Sequence, residues 1–230
     1  MFSISENIIT VKERIKSAAE RSGRDWNEIK IVAVSKTFPP ECIIEASKCG
    51  IKDIGENRIQ EAFSKYSVIG KTVNWHLVGH LQTNKVKRAL EIFDLIHSVD
   101  SVKLAEEINK RAGSLNRVTE VLVEVNTTSE DSKFGITPKE TVEFVREISQ
   151  LPNIAVVGLM TIGVFSENQE DSRRYFVILR ELKEQLEDYR LGKGRMKYLS
   201  MGMSNDFEVA VEEGANIVRI GTAIFGNRID

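Results

Sequence analysis

The apolar run Ile31-Val32-Ala33-Val34-Ser35 ends in Lys36, and Pro39 and Pro40 follow shortly, ahead of a helix-like stretch. A lysine at the rim of an apolar pocket loses hydration, which favours its neutral amine and lets the nitrogen add to a carbonyl. The same placement also suits a lysine that ends a strand and carries its ammonium out to water. Two segments near the C-terminus favour the first reading. Ser200-Met201-Gly202-Met203-Ser204-Asn205-Asp206 is a turn of small and polar residues leading into a helix, whose amides and Ser204 hydroxyl can donate to an anion. Ser204 closing its own helix is the structural alternative, and the two are compatible. Ile220-Gly221-Thr222 adds a sterically open amide and a second hydroxyl. Arg219 falls in register with Ile217 on the same strand face, and an inward arginine requires a partner. An interior carboxylate such as Glu124 or a ligand ring nitrogen meets that need.

Other patterns fail on spacing. Gly70-Lys71-Thr72 resembles the end of a phosphate-binding P-loop, but position 65 is lysine where that loop needs glycine. His76 and His80 share a strand face about 13 Å apart at 3.3 Å per residue, so with His97 they form no chelating set, and a zinc site is not expected. No G-x-S-x-G elbow is present to anchor a hydrolase triad. Cys42 and Cys49 sit on one helix about 10 Å apart along its axis, too far for a disulfide, and free thiols suit a reducing cytosol.

The elements that position these residues alternate. Strand candidates are 30–36, 52–56, 75–80, 95–100, 118–126, 154–162, 198–202 and 217–225. Helical patterns fall near 40–49, 58–66, 84–93, 101–112, 138–150, 169–189 and 205–213, after an amphipathic helix carrying Ile8, Val11, Ile15 and Ala18. Thr137-Pro138-Lys139-Glu140 reads as a capping box with proline at the first helical position. Gly113, Gly192 and Gly214 read as helix ends. Tyr175, Leu179, Leu182, Leu186 and Tyr189 form one core-facing stripe. In the fifth strand Val121, Val123 and Val125 share one face, while Leu122, Glu124 and Asn126 share the other and grow polar toward the strand's end. This pattern favours a closed (β/α)₈ barrel, a TIM barrel with an extra N-terminal helix, over an open doubly wound sheet. Its site would gather at the C-terminal strand ends: Lys36, Glu56-Asn57, His80, Asn126, Thr161, Ser200 to Ser204, and Arg219 to Thr222. One domain over 1–230 is expected, with no linker, repeat or low-complexity segment.

Lys plus Arg is 32 and Asp plus Glu is 34, so with a net charge of −2 and no basic block nucleic-acid binding has little electrostatic support. The longest apolar stretch, 154–165, is broken by Gly158, Thr161 and Gly163 and is too short to span a bilayer. No signal peptide is read at the N-terminus, and the expected location is the cytoplasm.

The Lys36, Ser200 to Asp206 and Arg219 to Gly226 segments, with Gly55-Glu56-Asn57-Arg58, Trp75-His76, Gly79 to Lys85, Ser132-Lys133-Phe134-Gly135 and Gly158-Leu159-Met160, resemble the pyridoxal phosphate homeostasis protein family. These are cytosolic single barrels related to the N-terminal domain of alanine racemase, and the resemblance runs from the first helix to the C-terminus. It implies pyridoxal 5′-phosphate held on Lys36 as an internal aldimine. It also implies Arg219 facing the pyridine nitrogen, Ser204, Gly221 and Thr222 at the phosphate, and Asn57 and Met201 completing the cofactor-binding set. His80 departs from the smaller or less polar residue expected there. An arginine at the ring nitrogen disfavours ring protonation and weakens the electron sink. Racemases of this type take a tyrosine base from an added C-terminal domain. This chain stops at Asp230, and Tyr66, Tyr175, Tyr189 and Tyr198 are not placed to serve. The implied function is covalent binding and buffering or delivery of the cofactor with little turnover, as a monomer, with recipient apo-enzymes as partners. A dimeric amino-acid racemase is one alternative. A sugar-phosphate isomerase or aldolase using a Schiff-base lysine is another.

Overall fold

The computed structural model describes residues 3–128, 130 and 133–226. Ser132, in one of the quoted segments, lies outside the described residues. The first helix, α1 (Ile4–Arg21), starts at a reciprocal capping box: Ser3 Oγ accepts from the Glu6 amide, and the Glu6 carboxylate accepts from the Ser3 amide at 2.8 Å. The chain then runs β1 (Lys30–Val34), α2 (Pro40–Lys48), β2 (Asp53–Glu56), α3 (Ile59–Ile69), β3 (Asn74–Leu77), α4 (Val86–Ile92), β4 (Leu95–Val99) and α5 (Val102–Ser114). It continues through β5 (Thr119–Glu124), α6 (Pro138–Ile148), β6 (Ile154–Met160), α7 (Arg173–Leu186), β7 (Tyr198–Ser200), α8 (Phe207–Glu212), β8 (Ile217–Ile220) and α9 (Thr222–Phe225). The strands close in sequence order into a parallel barrel, with β1 paired to both β2 and β8.

Two apolar layers follow from the period-2 alternation of the strands. Val32, Val34, Leu122, Val157 and Ile217 fill the barrel interior. Val121, Val123 and Val125 face outward into the larger layer between sheet and helices, with Trp75 and Phe207. The expected split of the two faces of β5 therefore holds. In β6 the alternation breaks: Val157 and Met160 face inward, Val156 and Leu159 outward, and the register against β5 shifts between Val121 and Leu122. Gly158 sits at this bulge, where a Cβ would lie 2.1 Å from the Tyr198 carbonyl oxygen of β7.

Several local expectations change. The last strand ends at Ile220, not at residue 225, and Thr222 opens a short helix. Gly113 lies inside α5, and Asn116, at φ 50°, takes the left-handed position beyond it. Gly214, at φ 101°, directly follows the C-cap of α8 as expected, whereas α7 ends at Leu186 and Gly192, though at positive φ, lies in the loop beyond it. Thr137 and Pro138 start α6 as expected, but the Thr137 hydroxyl meets the Glu140 carboxylate at 2.5 Å and makes no bond to the helix backbone. Tyr189 leaves the buried stripe of α7 and lies exposed beneath the Arg146 guanidinium. Both cysteines are free. Among the described residues no helix is long and apolar enough to cross a membrane.

Candidate functional site

One cavity of ≈350 Å³ opens at the C-terminal ends of the strands, within the range of small-ligand pockets. Lys36, Asn57, Arg219, Gly221, Thr222 and Ser204 all line it. Each sits just past a strand or at its last inward position, because βα loops converge at that end of such a barrel. Val34, Phe38, Val78 and Ile162 supply apolar walls, and Phe165, almost fully exposed, stands at the mouth.

Both chain neighbours of Lys36 are gripped from outside the barrel. The Ser35 carbonyl accepts from Lys65 Nζ at 2.7 Å, and its hydroxyl donates to Glu56 Oε1 at 2.6 Å, which also receives Lys65 Nζ at 2.6 Å. This buried lysine of α3 thus neutralises a carboxylate at the end of β2, directly behind the cavity wall. Burial pushes the Glu56 carboxyl up, against the opposing effect of Lys65 and Ser35. Thr37 takes φ 70°, a strained region for a β-branched residue, with its amide donating to the Glu61 carboxylate at 3.1 Å.

Arg219 is 5% exposed. One terminal nitrogen donates to the Ser200 carbonyl and hydroxyl, both at 2.7 Å, and the other to the Thr161 carbonyl at 2.8 Å. No Glu124 oxygen lies in ion-pair contact with it among the described residues; backbone carbonyls and a serine replace the interior carboxylate weighed from the sequence. Burial lowers the guanidinium to about 10, opposed by the charges of Asp206 and Glu124, so it stays cationic at neutral pH.

Ser204 does not close its own helix. Its hydroxyl oxygen accepts from the Gly221 and Ala223 amides at 3.3 and 3.2 Å, capping α9 from another loop. A Cβ added to Gly221 would meet nothing nearer than the Val34 carbonyl oxygen at 3.5 Å, so the space that glycine leaves open belongs to the cavity. Met201 is a correction. Ser200 points inward, so its neighbour points out, and Met201 is fully buried in the layer under the helices, while Met203 lines the cavity. His80 lies outside the cavity wall, 3.3 Å from the Asp100 carboxylate and stacked on Phe134 at 3.8 Å. Asn126 turns its amide to the Glu130 carbonyl.

Sequence reasoning missed two features. Asp206, buried on the cavity wall, accepts from the Met203 amide at 2.6 Å and the Ser172 hydroxyl at 2.9 Å. Its position within the Ser200 to Asp206 turn was the available signal. The second feature is a polar chain through the barrel: His76 Nδ1 lies 2.9 Å from His97 Nε2, and His97 Nδ1 lies 3.0 Å from the Ser200 hydroxyl. The two histidines sit on adjacent strands, a relation that spacing along one strand does not reveal. Among the described residues no group of three or more His, Cys, Asp or Glu side chains is placed to hold a metal ion.

Fold and site together define a (β/α)₈ barrel of the alanine racemase type, and the family described as alanine racemase, N-terminal domain, matches residues 7–228. The likeness to alanine racemase of Clostridium difficile 630 is one of fold: 19% identity and a TM-score of 0.74 over 94% of this chain and 58% of that one. The chain belongs to the pyridoxal phosphate homeostasis protein family. It is 49% identical to the pyridoxal phosphate homeostasis protein of Aquifex aeolicus over 225 residues, 97% of each chain. PipY of Synechococcus elongatus PCC7942, solved with PLP bound, is 33% identical, with a TM-score of 0.80 over 97% of this chain and 100% of that one.

Proposed function

We propose that this chain binds pyridoxal 5′-phosphate covalently through Lys36 and buffers or delivers it within the cell, turning over little substrate itself. The observation that carries this reading is the enclosure of Lys36, Arg219 and the Ser204–Gly221–Thr222 turn by one cavity. Bound there, the cofactor supplies an aldehyde carbon for a lysine nitrogen and an electron-withdrawing ring. The chain's residues fit its three parts. Among the described residues, Lys36 is the one lysine on the cavity wall. The Ser204 and Thr222 hydroxyls and the space beside Gly221 suit the phosphate, and Asn57 and the apolar walls suit the ring. Arg219, cationic and fixed by three hydrogen bonds, would donate to the ring nitrogen and keep a proton off it. That weakens the ring as an electron sink. Racemisation also needs a second base on the opposite face, and the described residues on the cavity wall include no tyrosine, histidine or cysteine.

Borohydride reduction of the loaded protein, followed by peptide mapping, tests the attachment. The adduct is expected on the peptide containing Lys36 and absent in Lys36→Ala; full labelling of another lysine, Lys133 for instance, would overturn the assignment. Incubation with L-amino acids in deuterated water tests the carrier role, and Cα exchange faster than about 1 s⁻¹, the low end of enzyme rates, would make the protein a racemase-like enzyme. A protein that stays colourless with the cofactor would favour the sugar-phosphate reading. We further propose one domain, a monomer in solution, and apo-enzymes that use the cofactor as its partners.

A further inference from the structure

The barrel interior holds a continuous line of polar side chains that ends at Arg219 and whose other members the cofactor reading does not use. Asp53, at the start of β2, accepts from the Asn74 amide at 3.0 Å and lies 3.0 Å from His76 Nε2. From His76 the line passes to His97, to the Ser200 hydroxyl and to Arg219. His97 on β4 and Ser200 on β7 are not neighbours in the sheet, so their contact crosses the lumen. His76 is 4% exposed, His97 and Ser200 are fully buried and Asp53 is 8% exposed, so water cannot substitute for a missing partner along most of the line.

The order of protons along this line follows from bookkeeping. Arg219 can only donate, so the Ser200 oxygen accepts from it. The remaining contact of the Ser200 hydroxyl is His97 Nδ1. If Ser200 donates there, His97 carries its proton on Nε2 and donates to His76 Nδ1. His76 then carries its proton on Nε2 and donates to Asp53, and every donor has an acceptor. The reverse order leaves the Ser200 proton buried without an acceptor. It also requires His76 to carry a second proton, or else its bare Nε2 would face the Asp53 carboxylate. Full burial, with the Arg219 charge nearby, pushes His97 well down and favours its neutral form. Burial raises Asp53, but the bonds from His76 and Asn74 and the charge of Lys30 outweigh it, and the carboxyl lies low and ionised.

We propose that Asp53, His76, His97 and Ser200 form a one-way hydrogen-bonded chain, with both histidines neutral and protonated at Nε2, that makes Asp53 a positioning residue for Arg219 at the other end of the line. The consequence for the ring-nitrogen contact rests on the pyridoxal phosphate reading; the proton order does not. A carboxylate at the start of β2 anchors the sequence, each member orients the next, and the Ser200 hydroxyl is held with its oxygen toward the guanidinium.

Histidine tautomers are read directly by ¹⁵N–¹H long-range correlation spectra of ¹⁵N-labelled protein without cofactor. At pH 7.5 the wild type is expected to show both rings neutral with the proton on Nε2; a proton on Nδ1 of His97, or a doubly protonated His76, would overturn the chain. In Asp53→Ala, His76 loses its acceptor, and His97 is expected to switch to Nδ1–H although it does not touch residue 53. Asp53→Asn keeps an acceptor oxygen and should restore the wild-type tautomers. An unchanged His97 in Asp53→Ala would reduce Asp53 to a local structural role. If that variant fails to fold, the wild-type and Asp53→Asn spectra still decide the order. Titration with pyridoxal phosphate then reads the consequence: Asp53→Ala should bind about tenfold more weakly and Asp53→Asn close to wild type. Equal affinity in all three would remove the positioning role, and wild-type protein that binds no cofactor would defeat the function reading while leaving the tautomers to decide the chain.

Discussion

Glu124 and Arg219 face the same interior, yet their surroundings treat them oppositely. The guanidinium has three hydrogen bonds to oxygens of Ser200 and Thr161, whereas burial and the nearby Asp100 push the Glu124 carboxyl up to about 7 against the opposing pull of Arg219. A carboxyl raised in the folded state is a stability term with a definite sign. Below pH 4.5 both states hold the proton; between there and about pH 7 the unfolded chain releases it first, and stability falls as pH rises. The gap between about 7 and the ordinary 4.5 corresponds to about 3 kcal/mol. Glu124→Gln should therefore gain about 3 kcal/mol on the wild type between pH 4 and pH 8 in urea titrations, and a constant difference across that window would show that folding does not raise the carboxyl's proton affinity. At the anion end, replacing Ser204 and Thr222 together with alanine should weaken cofactor retention by about 1.5–3 kcal/mol per lost bond to a charged group. Retention equal to the wild type in equilibrium dialysis would place the phosphate elsewhere.

The unit that presents Lys36 is the β2–α3 segment acting on the end of β1. Glu56, Glu61 and Lys65 reach from it to Ser35 and Thr37, and Glu56 Oε2 is buried with no hydrogen-bond partner among the described residues. A buried pair of this kind is costly to break and cheap to replace as a unit. Lys65→Met alone leaves an uncompensated carboxylate and should cost about 3–5 kcal/mol. Adding Glu56→Leu should recover most of that loss, though not the fixed geometry of the Ser35–Thr37 backbone. Chemical denaturation of the single and double variants separates the cases, and a double variant no more stable than the single one would count against an ionised pair.

At the scale of the molecule, α1 completes the ring of helices. It packs against α2, α8 and the four-residue α9 that follows β8. Ile8, Val11 and Ile15 bury its apolar face, while Arg14 and Arg21 reach Glu208 and Glu212 of α8 at 2.9 and 2.8 Å. Those ion pairs are half-exposed and contribute little; the apolar face carries the attachment. Ile15→Ala should destabilise the whole barrel by about 2–5 kcal/mol, seen as a parallel loss in all spectroscopic probes of unfolding. Loss confined to a helical signal, with the barrel intact, would show α1 to be an appendage.

What the sequence determined by itself is what neighbours along the chain decide. Alternation within β5 told its two faces apart, Thr137-Pro138 marked the start of α6, and the spacing of Cys42 and Cys49 ruled out their pairing. The strand ends then located Lys36, Asn57, Arg219 and Thr222 on one rim, because a parallel barrel puts all such ends together. Only the tertiary structure decided the rest. The bulge at Gly158 depends on how closely β7 approaches β6. Ser204 caps a helix 17 residues away from it in sequence, and His97 meets Ser200 across 103 residues and the width of the lumen. Periodicity is a property of consecutive residues and carries no record of such contacts. They are set by register and closure, where a shift of one residue turns an inward side chain such as Ser200 into an outward one such as Met201.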